Sequence, residues 1–545
     1  MKTCLLVVGV LASSVLGALA DNTTVENSSV IDLTVDFSRE YQTIEHFGAS
    51  DAWSINPTIK QWLQRDDHAS IDRLADLLFS TSEGIGLSAW RFNIGAGSTE
   101  QGVESQIPDP LRRAELLIPA PGSKVDSTKQ AGQVHFLREA RERGVSDFVA
   151  FVNSPPVWAT KNGLAHPGGP ESRLEVGSTN LKLEEVNSFS AFLVEVLAYL
   201  RGAEVGVPVN YISPVNEPTW EWEGQTQEAN RYNMDDLKTV YISLHEALKQ
   251  SGLDQAVKID GAEVVEYAAA LSDEVKVRFD GSAYTGGMNN SGEGLYRNYI
   301  HELLGDPKMS AALGSHLSMH GYFSDAWENR MGKLRDMTWE NLQAASPGAK
   351  VWMSEFCILG DTGDVRSFGG SGFDVDDMDY ALHVGKVIHR DLTRLNASAW
   401  HWWLALTPYD YKDGLLKIDK SLDSDSLQTS KVMWTLGNYS RFIRPGYRRV
   451  ALPGVDDLDG VLASAYKSGD EEQIVIVAIN AGDNSQSVKL AVDNLPDGRG
   501  LGPYTVHITN AERALQESGS AETSYTIPAR STVTLVAPII EGTTL

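Results

Sequence analysis

The sequence predicts an α/β protein: a (β/α)8 TIM barrel with a β-sandwich domain built from both chain termini. Three observations predict it. Between about residues 45 and 445, eight short apolar runs alternate with longer segments of helical period. After Pro445 the texture becomes short strands parted by turn clusters. Near the N-terminus, VIDLTVDF (30–37) alternates strictly and matches the C-terminal texture, not the barrel's.

Residues 1–20, MKTCLLVVGVLASSVLGALA, combine one lysine, a short apolar core and a small-residue end. This is the pattern of a secretory signal peptide, too short for a membrane span. Residues 30–44 follow as the N-terminal strand expected to join the sandwich, with Ile31, Leu33, Val35 and Phe37 on one face. The catalytic barrel is expected over 45–445. Its eight runs are HFGASDAWS (46–54), LSAWRFNIG (87–95), DFVAFVNS (147–154), VNYISPVNE (209–217), KIDGAEVV (258–265), SHLSMHGY (315–322), KVWMSEFC (350–357) and ASAWHWW (397–403). Between them, Phe189, Phe192, Leu193, Val196, Leu197 and Leu200 recur at three and four, as do Leu237, Val240, Tyr241, Leu244 and Leu248, which end at Gly252. Residues 446–541 complete the C-terminal β-sandwich domain, with GVLASAY, EQIVIVAIN, SVKLAV, YTVHIT and STVTLVAP as strands.

The net charge of −27 argues against nucleic acid or an anionic membrane as partner. Cys4 would leave with the leader, so Cys357 has no intramolecular partner and the core must hold the fold. Asn22, Asn27, Asn289, Asn396 and Asn438 each open an Asn-x-Ser/Thr sequon for glycosylation. A secreted, extracellular monomer acting on a polysaccharide or oligosaccharide is expected, with no cofactor and no metal. GIGLSA (84–89) precedes its strand, so it is not a dinucleotide loop; HExxH and GxSxG are absent.

In this fold reactive groups sit at the C-terminal ends of the strands. Glu217 ends the fourth run, and Glu355 lies near the end of the seventh, across the barrel mouth. Two carboxylates there suit glycoside hydrolysis: one protonates the leaving oxygen, the other attacks the anomeric carbon or activates water. Arg91 can hold one carboxylate ionised, Asn216 can bind a hydroxyl beside the cleaved bond, and His320 and Tyr322 can orient the nucleophile. Trp53, Trp158, Trp220, Trp222, Trp402 and Trp403 fall at or past strand ends, where flat rings pack on sugar faces. Any single one of them is more often core than sugar platform, and a lone glutamate at a strand end is more often a structural ion pair than a catalyst; the pair of glutamates and the tryptophans as a set favour the functional reading.

HFGASDAWS, RFNIGAGS, NSPPVWATKNG, SPVNEPTWEW with QTQEA, MSEFCILG and WHWWLALTPYDYKDGL together resemble glycoside hydrolase family 30. The resemblance runs from about residue 30 to the C-terminus. It implies a retaining double displacement, with Glu217 as acid/base and Glu355 as nucleophile. DYKDGL and QTQEA look most like the endo-β-1,6-galactanases of that family. Asp51, Glu223 and Asp410 are candidates for reading galactose's axial hydroxyl, and the loop 360–375 matches no pattern. A β-1,6-glucanase, a xylanase, a glucosylceramidase and a catalytically silent carbohydrate-binding protein stand as alternatives.

Overall fold

The computed structural model describes residues 30–168, 178–218, 220, 222, 226–272, 298–314, 316–325, 329–359 and 369–541. The leader, Asn22, Asn27, Asn289, Glu223 and most of the 360–375 loop lie outside them.

All eight apolar runs form parallel strands of one sheet. They are β2 (His46–Ser50), β3 (Ala89–Asn93), β4 (Asp147–Phe151), β5 (Tyr211–Ser213), the short pair β6 (Lys258–Ile259) and β7 (Ala262–Val264), β8 (His316–His320), β9 (Lys350–Phe356) and β10 (Ala399–Thr407). The neighbour order is β6-β5-β4-β3-β2-β10-β9-β8-β7. β6 and β7 are one strand broken at Asp260 and Gly261, and this strand closes the barrel. Asp260 N donates to Ile212 O on one side, and Ser318 N to Gly261 O on the other. Gly261 is required at the break, since a Cβ there would stand 2.3 Å from the Tyr241 hydroxyl.

The helices take the faces their sequence assigns. Val186–Arg201 buries Phe189, Phe192, Leu193, Val196, Leu197 and Leu200. Met234–Ser251 buries Leu237, Val240, Tyr241, Leu244 and Leu248; the Asn233 side chain caps it by accepting from Asp236 N, and Gly252 ends it at φ 74°. Among the described residues no helix is long and apolar enough to cross a membrane.

The second sheet has ten strands. The first strand, β1 (Ile31–Thr43), lies within it, antiparallel to Arg448–Ala451 and parallel to Gln486–Asp493. Its alternation delivers Leu33, Val35 and Phe37 to a core shared with Val506, Val533 and Leu535. The helix Lys431–Ser440 packs this unit on the barrel. That packing closes the Asn438 sequon: the side chain is fully buried and its Nδ2 donates to Thr534 Oγ1 at 2.9 Å, which leaves no room for a glycan. Asn396 is half-buried, with its Oδ1 accepting from Arg449 at 2.6 Å.

Candidate active site

Glu355 is the penultimate residue of β9, and its side chain is tied at both oxygens. Arg91, from β3, donates through Nη1 to Oε2 at 2.7 Å; the Tyr322 hydroxyl donates to Oε1 at 2.7 Å. Arg91 is itself fixed by the Phe151 ring, 4.2 Å from its guanidinium carbon. Glu217 lies beyond β5, which ends at Ser213, at a positive φ of 43°. Its amide donates to Glu263 O at 2.9 Å, so the end of the broken fifth strand holds the Glu217 backbone.

His320, at the end of β8, stands between the two. Its Nδ1 is 3.1 Å from Glu217 Oε1 and 3.5 Å from Glu355 Oε1. One atom each of Glu217, His320 and Glu355 lie within 4.8 Å of one another. Carboxylates of retaining glycosidases stand about 5–5.5 Å apart, against about 6.5–9.5 Å for inverting ones.

Beneath this trio sits Glu263, fully buried. It accepts from Arg91 Nη2 at 3.2 Å, contacts His320 Nε2 at 2.9 Å and accepts from the Ser354 hydroxyl. Burial opposes its charge, but Arg91, His320 and Ser354 outweigh burial and take it down to about 2. Burial likewise opposes a charge on His320; Glu355, Glu217 and Glu263 outweigh it and raise the imidazole to about 10. Arg91 and His320 are the two cations of the site; both face Glu263, while Arg91 and the Tyr322 hydroxyl donate to Glu355. Burial, with Glu355 and Glu263 nearby, raises Glu217 against the pull of His320. A raised carboxyl is what the acid of such a pair needs. The same trio has the spacing of a metal site, with both ring nitrogens of His320 already facing carboxylates.

The carboxylates open on a cavity of about 250 Å³, with Asn216, Trp222, Gln227 and Trp403 in its wall. Asn216 Oδ1 is buried with no hydrogen-bond partner among the described residues, an acceptor open to a sugar hydroxyl. A family model described as O-Glycosyl hydrolase family 30 matches residues 30–417. The chain belongs to that family. It is 28% identical to a conserved exported protein from Bacteroides fragilis, with TM-score 0.77, over 92% of this chain and 99% of that one. It shares the fold of the endo-β1,6-glucanase BT3312, at 17% identity and TM-score 0.60 over 92% and 93% of the two chains. Glucuronoxylanase XynC of Bacillus subtilis (strain 168) is 27% identical over 147 residues, which span 27% of this chain and 29% of that protein.

Within this family 30 barrel, several residues expected at the sugar do not line that cavity. Trp402 is fully buried, and its Nε1 donates to Asp413 O at 2.8 Å. Successive strand residues face opposite ways, so Trp402 points to the helices with Trp400 while Trp403 points to the mouth. Trp53 backs Trp403 edge-on at 5.3 Å, and Trp158 packs edge-on against Phe192. Trp220 stacks on Phe323 and braces Trp222. Asp51 is fully buried, accepts from Asn93 N at 2.8 Å and is pushed by burial up to about 7. It ties β2 to β3 and is not among the residues lining the cavity. Asp410 is occupied by Phe373 N and Lys417.

Glu263, Arg112 and Asp413 were not foreseen. Glu263 left a signal, a charge inside the apolar run KIDGAEVV. Glu228 of QTQEA is a buried tie: it accepts from Ala96 N and from the amide and hydroxyl of Ser98, which fixes the loop bearing Gln227.

Proposed function

We propose that the protein is a secreted retaining glycoside hydrolase that cuts β-1,6-galactan chains, the side chains of arabinogalactans, by double displacement. The observation that carries the chemistry is the Glu217–Glu355 pair, held close by His320, with burial and the neighbouring carboxylates raising Glu217. Glu217 gives its proton to the leaving oxygen while Glu355 attacks the anomeric carbon. Once Glu355 is esterified its negative charge is gone. Arg91 and His320 then face Glu263 alone, so Glu217 ionises readily and takes a proton from water for the second step. Both glutamates are present and hydrogen-bonded, which favours an enzyme over a silent sugar binder.

The galactan half rests on the resemblance of QTQEA and DYKDGL to the galactanases. Those two segments supply Gln227, Tyr411 and Asp413 to the cavity wall. A relative on the same fold is a β1,6-glucanase, which fits a β-1,6 link. Export rests on residues 1–20 and on the exported Bacteroides fragilis relative. The curated glucuronoxylanase relative makes xylan the second reading. The purified protein should degrade de-arabinosylated β-1,6-galactan to short galacto-oligosaccharides faster than it degrades β-1,6-glucan or glucuronoxylan. A faster rate on glucan or xylan would remove the galactan assignment and leave the two-glutamate chemistry intact.

A further inference from the structure

The cavity has a charged corner that the two glutamates do not use. Asp413 follows β10 in DYKDGL, and Arg112 comes from the long loop after β3; both line the cavity. Arg112 Nη2 stands 3.8 Å from Asp413 Oδ2. That is too long for a hydrogen bond, and short enough for one oxygen to bridge the two groups. Asp413 is 3% exposed, and no donor among the described residues hydrogen-bonds its Oδ1. Burial pushes its carboxyl up to about 6 against the pull of Arg112 and Thr407. A buried acceptor left open beside a guanidinium costs free energy unless a ligand fills it.

Both groups are held in place. Arg112 is sandwiched between the Trp53 and Tyr409 rings, 4.7 and 4.6 Å from its guanidinium carbon. The Tyr409 hydroxyl donates to Asp109, whose side chain also caps the turn Pro110–Arg112 by accepting from Leu111 N. The Asp413 carbonyl accepts from Trp402 Nε1 and from Leu404 N. A sugar hydroxyl both donates and accepts, so it can give its proton to Asp413 and take one from Arg112.

Which hydroxyl follows from the chemistry proposed above, on which this inference rests. The leaving group lies on the Glu217 side. The sugar transferred to Glu355 lies toward β9 and β10, where Asp413 stands. In a β-1,6 chain the O6 of that sugar carries the preceding unit. Its 2-hydroxyl adjoins the reacting carbon, beside Asn216. The 3- and 4-hydroxyls remain, and the 4-hydroxyl is the one that separates galactose from glucose. We propose that Asp413 and Arg112 form a clamp for the axial 4-hydroxyl of the galactosyl unit transferred to Glu355.

The test uses the full-length enzyme and nitrophenyl β-1,6-galactobioside, with two analogues whose nitrophenyl-bearing sugar is 4-deoxygalactose or glucose. For the wild type, removing or inverting the 4-hydroxyl should lower kcat/KM roughly 10- to 100-fold. Asp413→Asn should lower kcat/KM for the galacto compound by a similar factor. It should cost the 4-deoxy compound less than about threefold, since the two losses share one contact. That small loss also reports an intact fold. Arg112→Lys, which keeps the charge but not the fork, should narrow the galacto-to-gluco ratio as well. Equal loss on all three compounds, or an unchanged galacto-to-deoxy ratio in Asp413→Asn, would overturn the clamp. A wild type that prefers the gluco compound would remove the galactan reading. The clamp is then judged on the 4-deoxy compound alone, which lacks the hydroxyl of either sugar.

Discussion

Glu355→Gln should abolish turnover on galactan and on activated aryl glycosides alike. The amide cannot form the glycosyl ester, and a good leaving group does not help, because the missing atom is the attacking one. The substitution is nearly isosteric. One of the two donors, Arg91 or the Tyr322 hydroxyl, can still donate to the amide oxygen; the other then meets the amide nitrogen and its contact is lost. Folding should therefore survive, and a melting transition close to the wild type separates loss of chemistry from loss of structure. Normal activity in this variant would remove the nucleophile assignment.

Glu217→Gln should have a different signature. Hydrolysis of natural chains should fall by roughly 10²–10⁴-fold, the usual worth of a positioned proton donor. An aryl glycoside whose leaving group needs no proton should form the glycosyl-enzyme at near wild-type rate and then stall, because no base activates water. Azide needs no base, so it should restore turnover and give the β-glycosyl azide, the retained configuration. The pH profile supplies a second readout. Burial and the neighbouring Glu355 and Glu263 raise Glu217, so it stays a donor below its elevated pKa and activity falls as pH rises through that value. The wild type should be bell-shaped, its limbs belonging to the coupled pair, and the alkaline limb should vanish in Glu217→Gln. An unchanged alkaline limb, or an α-azide, would contradict the acid/base role.

Much of the barrel could be read from the chain because its strands are short apolar runs at regular spacing, each followed by helical period. Even the first strand's place in the far sheet followed from the alternation of Ile31 to Phe37, which suits one buried face and not a barrel. The positions of Glu217 and Glu355 at facing strand ends followed from counting strands. The tryptophans did not follow, since nearness to a strand end says nothing about which face a ring takes. Strand parity separates Trp402 from Trp403, which are adjacent and must point opposite ways. Trp53 and Trp158 needed the packed structure, because what covers them comes from β10 and from the helix Val186–Arg201. Glu263 was hidden by the break in its strand, which turns it beneath the reacting pair. Arg112 left no local signal at all. Its meaning comes from Asp413, Trp53 and Tyr409, which long loops bring to it.

Burial and the neighbouring carboxylates raise Glu217, the proposed acid, and its partner Glu355 is the proposed nucleophile. The most direct measurement of that claim is proton NMR of the first product, recorded within the first turnovers and before mutarotation. Two displacements at one carbon return the starting configuration, so the reducing ends released from β-1,6-galactan should appear first as the β-anomer, with the α signal growing only as the sugar equilibrates. An α-anomer at the earliest time points would mean a single displacement by water, and Glu355 could not be the nucleophile.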